Sequence, residues 1–138
     1  MKCFVLDNSI TVAFLLGEGS SVADTVFSKK LTVNDMAFVP TLWHLEVRNV
    51  LFLKEFSGKL QIGEASQLIT SLGKFPITTD LHTTTPSTLM HVERLMLRFG
   101  LTSYDAAYLE LAYRMGVPIA TLDEELKAAA KALKVPVL

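Results

Sequence analysis

Short apolar runs alternate along this chain with longer stretches of helical period. Cys3–Leu6 is apolar at every position and stops at Asp7. Such a run suits a strand buried on both faces, as in a parallel sheet. Asp7-Asn8-Ser9 then turns the chain, and Ser9 can cap a helix Ile10–Leu16 that Gly17 and Gly19 end. Ser20–Lys30 predicts a second helix with Val22, Val26 and Phe27 inward, and Ala37-Phe38-Val39 a second buried strand stopped by Pro40. Thr41 caps the next predicted helix, Leu42 to about Phe56, with Gly58 beyond its end. A shorter helix around Gly63–Leu72 leads to a third strand at Ile77-Thr78-Thr79. Pro86–Phe99 is helical, with Leu89, Val92, Leu95, Met96 and Phe99 on one side and Arg94 and Arg98 on another. Thr102 caps a largely apolar helix that Gly116 ends, and Pro118–Thr121 is a fourth strand. Asp123 caps a last helix, Glu124–Leu133, and Val135-Pro136-Val137 suits an edge strand, where proline is tolerated. Strands alternating with helices call for right-handed crossovers and a mainly parallel sheet covered on both faces.

Composition narrows the class without naming an activity. A chain of 138 residues, half of them hydrophobic, suits one domain with a real core, and no internal repeat or linker divides it. Net charge is −1, spread evenly over both halves, so no basic tail announces nucleic acid; a local patch is still compatible with it. The single cysteine, Cys3, excludes an internal disulfide framework and any cysteine-based zinc site. An acid arrives at Asp7, too early for a signal peptide, and no apolar run has the length of a membrane span. A reducing cytoplasm is the expected setting.

Four acids carry the candidate chemistry. Open parallel sheets form their sites beyond the carboxyl ends of the strands. Asp7 ends the first strand, and Asp123 follows the fourth. Asp105 is at N3 of the helix that Thr102 caps, where an acid answers both the cap and the helix dipole. Glu46 lies five residues past Thr41, roughly 7–8 Å along the helix axis. Its neighbours three and four residues away are Leu42, Trp43, Asn49 and Val50, so no intrahelical ion pair explains it. It must find a partner, a metal or water, or lose its charge. Taken singly, Asp105 and Asp123 read as helix caps, Asp7 as a turn residue, and Glu46 as evenly balanced between site and solvent. For Asp123, Lys127 stands four residues on as an ion-pair partner. Together, four converging acids without bases would repel unless a divalent cation such as Mg²⁺ or Mn²⁺ sat among them. That chemistry suits metal-assisted hydrolysis of a phosphodiester. Ser9, Asn49 and Thr121 adjoin the acids in sequence and could orient water or phosphate. No glycine-rich phosphate loop and no Gly-x-Ser-x-Gly elbow occurs, and His44, His82 and His91 lack metal spacing. The Arg94 and Arg98 stripe reads first as a solvated face.

Four blocks resemble the PIN domain, in particular the VapC-type toxins of toxin–antitoxin pairs. They are Val5-Leu6-Asp7-Asn8-Ser9, the Pro40–Leu51 stretch with Glu46 and Asn49, the Leu101–Ala112 stretch with Asp105, and Ile119–Leu126 with Thr121 and Asp123. The resemblance spans the chain in order, and none of the four acids is replaced. It implies a three-layer α/β/α fold with a mainly parallel central sheet of four to five strands. It implies Asp7, Glu46, Asp105 and Asp123 as metal ligands, direct or through water, around Mg²⁺ with Mn²⁺ as the substitute. Ser9 and Thr121 become secondary site residues, and Asn49 a substrate-binding candidate. The implied activity is endonucleolytic cleavage of single-stranded RNA, tRNA or mRNA. The implied partners are a second copy of the chain and a cognate antitoxin whose C-terminal segment covers the site. Two other readings compete: a non-cleaving PIN-like module that binds RNA or protein, and a receiver-like phosphoacceptor. The second of these needs a lysine after a late strand, which Pro118–Asp123 does not offer.

Overall fold

A computed structural model describes residues 1–138. Strands β1 (Cys3–Leu6), β2 (Met36–Pro40), β3 (Ile77–Asp80) and β4 (Ile119–Ala120) form one all-parallel sheet in the order β3-β2-β1-β4. Both faces are covered, which is why Phe4, Val5 and Leu6 are buried on consecutive positions. Helices α1 (Asn8–Leu15), α2 (Ser21–Thr25), α3 (Leu42–Phe56) and α4 (Glu64–Ser71) belong to the connections that step from β1 to β3. The return to β4 passes through α5 (Pro86–Phe99) and α6 (Ser103–Met115), and α7 (Glu124–Ala132) follows β4. Right-handed crossovers stepping in opposite directions put their helices on opposite faces, which gives the three layers. The reversal of direction falls between β1 and β4, so the crevice at their carboxyl ends is the switch point of the sheet.

Helix α6 is the centre of its layer. It packs on β1, β2 and β4 between α5 and α7, and Ala106 through Ala112 is buried without a break. Glu110 lies in that run and is 4% exposed. Arg114, one turn on, donates to both of its oxygens (2.7 and 3.1 Å) and continues to Asp80 at the end of β3 (2.7 and 3.3 Å). A guanidinium fork thus ties the central helix to the edge strand.

Several local expectations change. Asp7, not Ser9, occupies the cap position of α1, because the Ser9 hydroxyl is engaged elsewhere. Thr41 makes no side-chain cap; its N–H donates instead to Thr83 Oγ1 at 3.1 Å, from the loop after β3. The single helix expected over Ser20–Lys30 widens into a π turn at Val26–Lys30, where Phe27 stacks on Phe14 at 4.2 Å and meets Phe75 edge-on. Strand β4 shortens to two residues. The fifth strand reduces to one parallel bridge, Ile119 to Val137, since Pro136 has no N–H to extend it. Leu89 is 42% exposed rather than part of the inward side of α5. No helix is long and apolar enough to cross a membrane.

Candidate active site

Asp7 and Asp123 reach the switch-point crevice by simple means: Asp7 follows directly on β1, and Asp123 lies three residues past the end of β4. Asp7 is 5% exposed, and Ser9 Oγ (2.6 Å) and Thr121 Oγ1 (2.7 Å) both donate to its Oδ2. Leu122 N–H donates to Ser9 Oγ (3.0 Å), and Asp123 N–H to Thr121 Oγ1 (3.1 Å). The turns after β1 and β4 are therefore stitched together through one carboxylate oxygen. Asp123 caps α7 by accepting the Leu126 N–H on Oδ1 at 2.7 Å, which leaves Oδ2 without a protein donor. Lys127 pairs with Glu124 (3.1 Å), not with Asp123, and so leaves the acid uncompensated.

Glu46 and Asp105 come from opposite layers. Thr102 caps α6 by accepting the Asp105 N–H at 3.2 Å, as the local sequence predicts, and this holds Asp105 in the first turn. One turn later Tyr108, fully buried, donates from its hydroxyl to Glu46 Oε1 at 2.7 Å. Glu46 Oε2 has no protein donor. Tyr108 was not among the residues singled out from sequence. Its place in an apolar run reads as core, and only the hydroxyl distinguishes it from phenylalanine there. A second tie fixes α3: Trp43 Nε1 donates to Thr11 Oγ1 (3.1 Å), whose hydroxyl reaches the Asp7 carbonyl (3.4 Å).

The electrostatics bind the four acids into one group. Burial first, then Asp123 and Asp7, push the Asp105 carboxyl up to about 6. Glu46 is raised by burial and by the charges of Asp7 and Asp105, against the lowering effect of the Tyr108 hydrogen bond. Burial also raises Asp7, opposed by the hydroxyls of Ser9 and Thr121 and the backbone N–H groups of Ser9 and Asn8. Burial and the neighbouring carboxylates lift Tyr108 well above the ordinary tyrosine range, so it stays a donor. None of the four acids meets a lysine, arginine or histidine in an ion pair.

The structure brings Asp7, Ser9, Glu46, Asp105, Thr121 and Asp123 to one crevice. It does not bring Asn49, which is exposed further along α3 and makes no side-chain hydrogen bond. No three of the chain's acidic, histidine or cysteine side chains stand together closely enough to hold a metal ion as they are placed. The donor chemistry is nonetheless that of a hard-dication site: Glu46 and Asp123 each keep a carboxylate oxygen without a protein donor, and Mg²⁺ is usually held by such oxygens together with water. Asn8 Oδ1, next in the chain to Asp7, is buried without a partner, the one such side-chain atom in the protein.

Known proteins agree with this architecture. The chain is 30% identical over 136 residues to Ribonuclease VapC3 of Pyrobaculum aerophilum, covering 99% of this chain and all of that one. Its fold superposes on the crystal structure of PAE2754 from the same organism with a TM-score of 0.68, at 24% identity and over 99% of this chain and 83% of that one. The crystal structure of VapBC2 from Rickettsia felis bound to a promoter DNA fragment superposes with a TM-score of 0.66, at 12% identity, covering 99% and 97%. The PIN domain family matches residues 4–132, so the chain belongs to the PIN domain family, in its VapC-type branch.

Proposed function

We propose that this chain is a divalent-metal-dependent endoribonuclease, the toxin of a type II toxin–antitoxin pair, acting in the cytoplasm. One observation carries the reading: four carboxylates gather within electrostatic reach of one another at the switch point of a parallel sheet, and no cationic side chain pairs with any of them. Asp7, Glu46, Asp105 and Asp123 would hold Mg²⁺ or Mn²⁺, some directly and some through water. The ion supplies a more acidic water and neutralises charge on the phosphate. Ser9 and Thr121 fix the carboxylate plane of Asp7. Tyr108 turns Glu46 inward. Asn49, exposed beyond Glu46 and away from the crevice, has no part in this reading. The name of the ribonuclease relative supports RNA as substrate, and the VapBC2 assembly supports an antitoxin partner. A second copy of the chain completes the family arrangement.

Titration calorimetry of Mn²⁺ into the wild type and Asp105→Asn, beside cleavage of a labelled RNA pool with and without chelator, tests this. The expected result is saturable binding and cleavage in the wild type alone. Cleavage that survives excess chelator overturns it. RNA or antitoxin binding without metal-stimulated cleavage would instead establish the non-cleaving module.

A further inference from the structure

Two arginines of α5 have no carboxylate to face. Arg94 reaches only Met90 Sδ at 3.8 Å, and the Arg98 guanidinium lies over the Phe99 ring, 4.8 Å from its centroid. Both line a groove of about 360 Å³ between α5 and the C-terminal half of α6. His91 stands on the same wall, and Tyr113 and Arg114 form the other. The one carboxylate in the groove, Glu110, is already taken up by Arg114. On a chain of net charge −1, this leaves a local surplus of positive charge in a concave surface.

We infer that this groove binds the phosphodiester backbone of single-stranded RNA beside the cleavage position. The inference deepens the proposed function and rests on RNA being its substrate class. Guanidinium forks recognise phosphate oxygens, and an exposed aromatic ring gives an unpaired base something to stack on. The Tyr113 ring, 63% exposed, supplies that platform beside the arginines. An acidic peptide would use the arginines and leave the ring idle. Tyr113 follows Asp105 by eight residues on the same helix, about 12 Å along its axis. The groove, which Leu133 at the end of α7 also lines, thus lies at the far ends of the two helices that open at Asp105 and Asp123, a span that an oligonucleotide held at the carboxylates can cover.

The test is fluorescence anisotropy with a labelled single-stranded RNA of about twelve nucleotides, in chelator so that nothing is cut, across a salt series. The wild type is compared with Arg94→Gln/Arg98→Gln and with Tyr113→Leu, all at exposed positions, and unchanged melting curves verify folding. The double variant is expected to bind more weakly, with the slope of log affinity against log salt reduced by about 0.7 for each phosphate it no longer neutralises. Tyr113→Leu is expected to weaken binding roughly tenfold with the slope intact. Unchanged affinity and slope in the double variant overturn the proposal. So does a wild type that binds no RNA. A polyglutamate peptide that binds the wild type, and loses binding in the double variant while RNA does not, also overturns it and gives the groove to a protein partner. Failure of the catalytic reading is separable. RNA binding through the arginines without Mn²⁺-dependent cleavage keeps the groove and removes the nuclease. Cleavage with an unchanged salt slope does the reverse.

Discussion

Removing one hydroxyl separates the packing of Tyr108 from its polar contact. Tyr108→Phe keeps the ring in the core but leaves Glu46 without its donor. The loss of that bond is expected to lower stability by about 1 kcal/mol. Because the bond orients a proposed ligand, Mn²⁺ affinity is expected to fall roughly 10- to 100-fold. Urea unfolding and calorimetry on the same preparation read both, and a stability loss with unchanged Mn²⁺ affinity would make Tyr108 a packing residue only. Asp105 gives a pH signature. Its carboxyl is raised from 3.8 to about 6 in the fold, first by burial and then by Asp123 and Asp7. Across that window the native state holds a proton that the unfolded chain has released, so metal-free stability falls as pH rises through it. Solvent screening at this half-buried site limits the fall to about 1 kcal/mol. Urea curves at several pH values should show a shallower slope in Asp105→Asn than in the wild type, the remainder coming from Glu46 and Asp7, which burial also raises; equal slopes would remove Asp105 as a contributor. Asp7, Asp105 and Asp123 were legible in the sequence because strand ends and helix starts are local patterns, whereas Glu46, within α3, showed only as an acid without an intrahelical partner. Tyr108 was not legible, since its partner lies 62 residues away.

At the scale of elements, the tie between α6 and β3 is the one most exposed to a single change. Arg114→Ala strands Glu110 as a buried, unpaired acid, and loss of such a partner costs about 3 kcal/mol. Pairing it with Glu110→Gln should restore much of that stability. Urea unfolding of the two variants measures it, and equal midpoints would mean that Glu110 has found water. Helix caps divide in the same way between local and distant causes. Thr102 and Asp123 cap through residues three positions on, which the sequence displays. Thr41 does not cap because its backbone is already helical (φ −57°, ψ −34°) rather than extended, while its N–H is held by Thr83, 42 residues later, a contact that no local pattern shows. The shortened fifth strand has a local cause that the sequence displays, Pro136. Val137 comes into register with Ile119, but a single bridge is all that the flanking proline allows.

For the whole molecule, the layer order was readable from the alternation of strands and helices, whereas the strand order was not. The order β3-β2-β1-β4 places β1 beside both β2 and β4, and this makes the crevice between the first and last strands a place where charge collects. A dication that binds only the native crevice should stabilise the fold, by about 2.7 kcal/mol at a hundredfold excess over Kd. Differential scanning fluorimetry should therefore show Tm rising by several degrees with Mn²⁺ in the wild type and staying still in Asp105→Asn. A rise of equal size in both would place the ion elsewhere.

The stitch from Thr121 and Leu122 back to Asp7 and Ser9 joins the first and last strands of the sheet across more than a hundred residues. During synthesis the first strand leaves the ribosome long before its neighbour β4 exists. A nascent chain can thus carry Asp7, Glu46 and Asp105 and still lack the turn that closes the crevice. The proposed nuclease would then stay inert, beside messenger and transfer RNA, until β4 and α7 emerged. Chains released early would carry no finished blade.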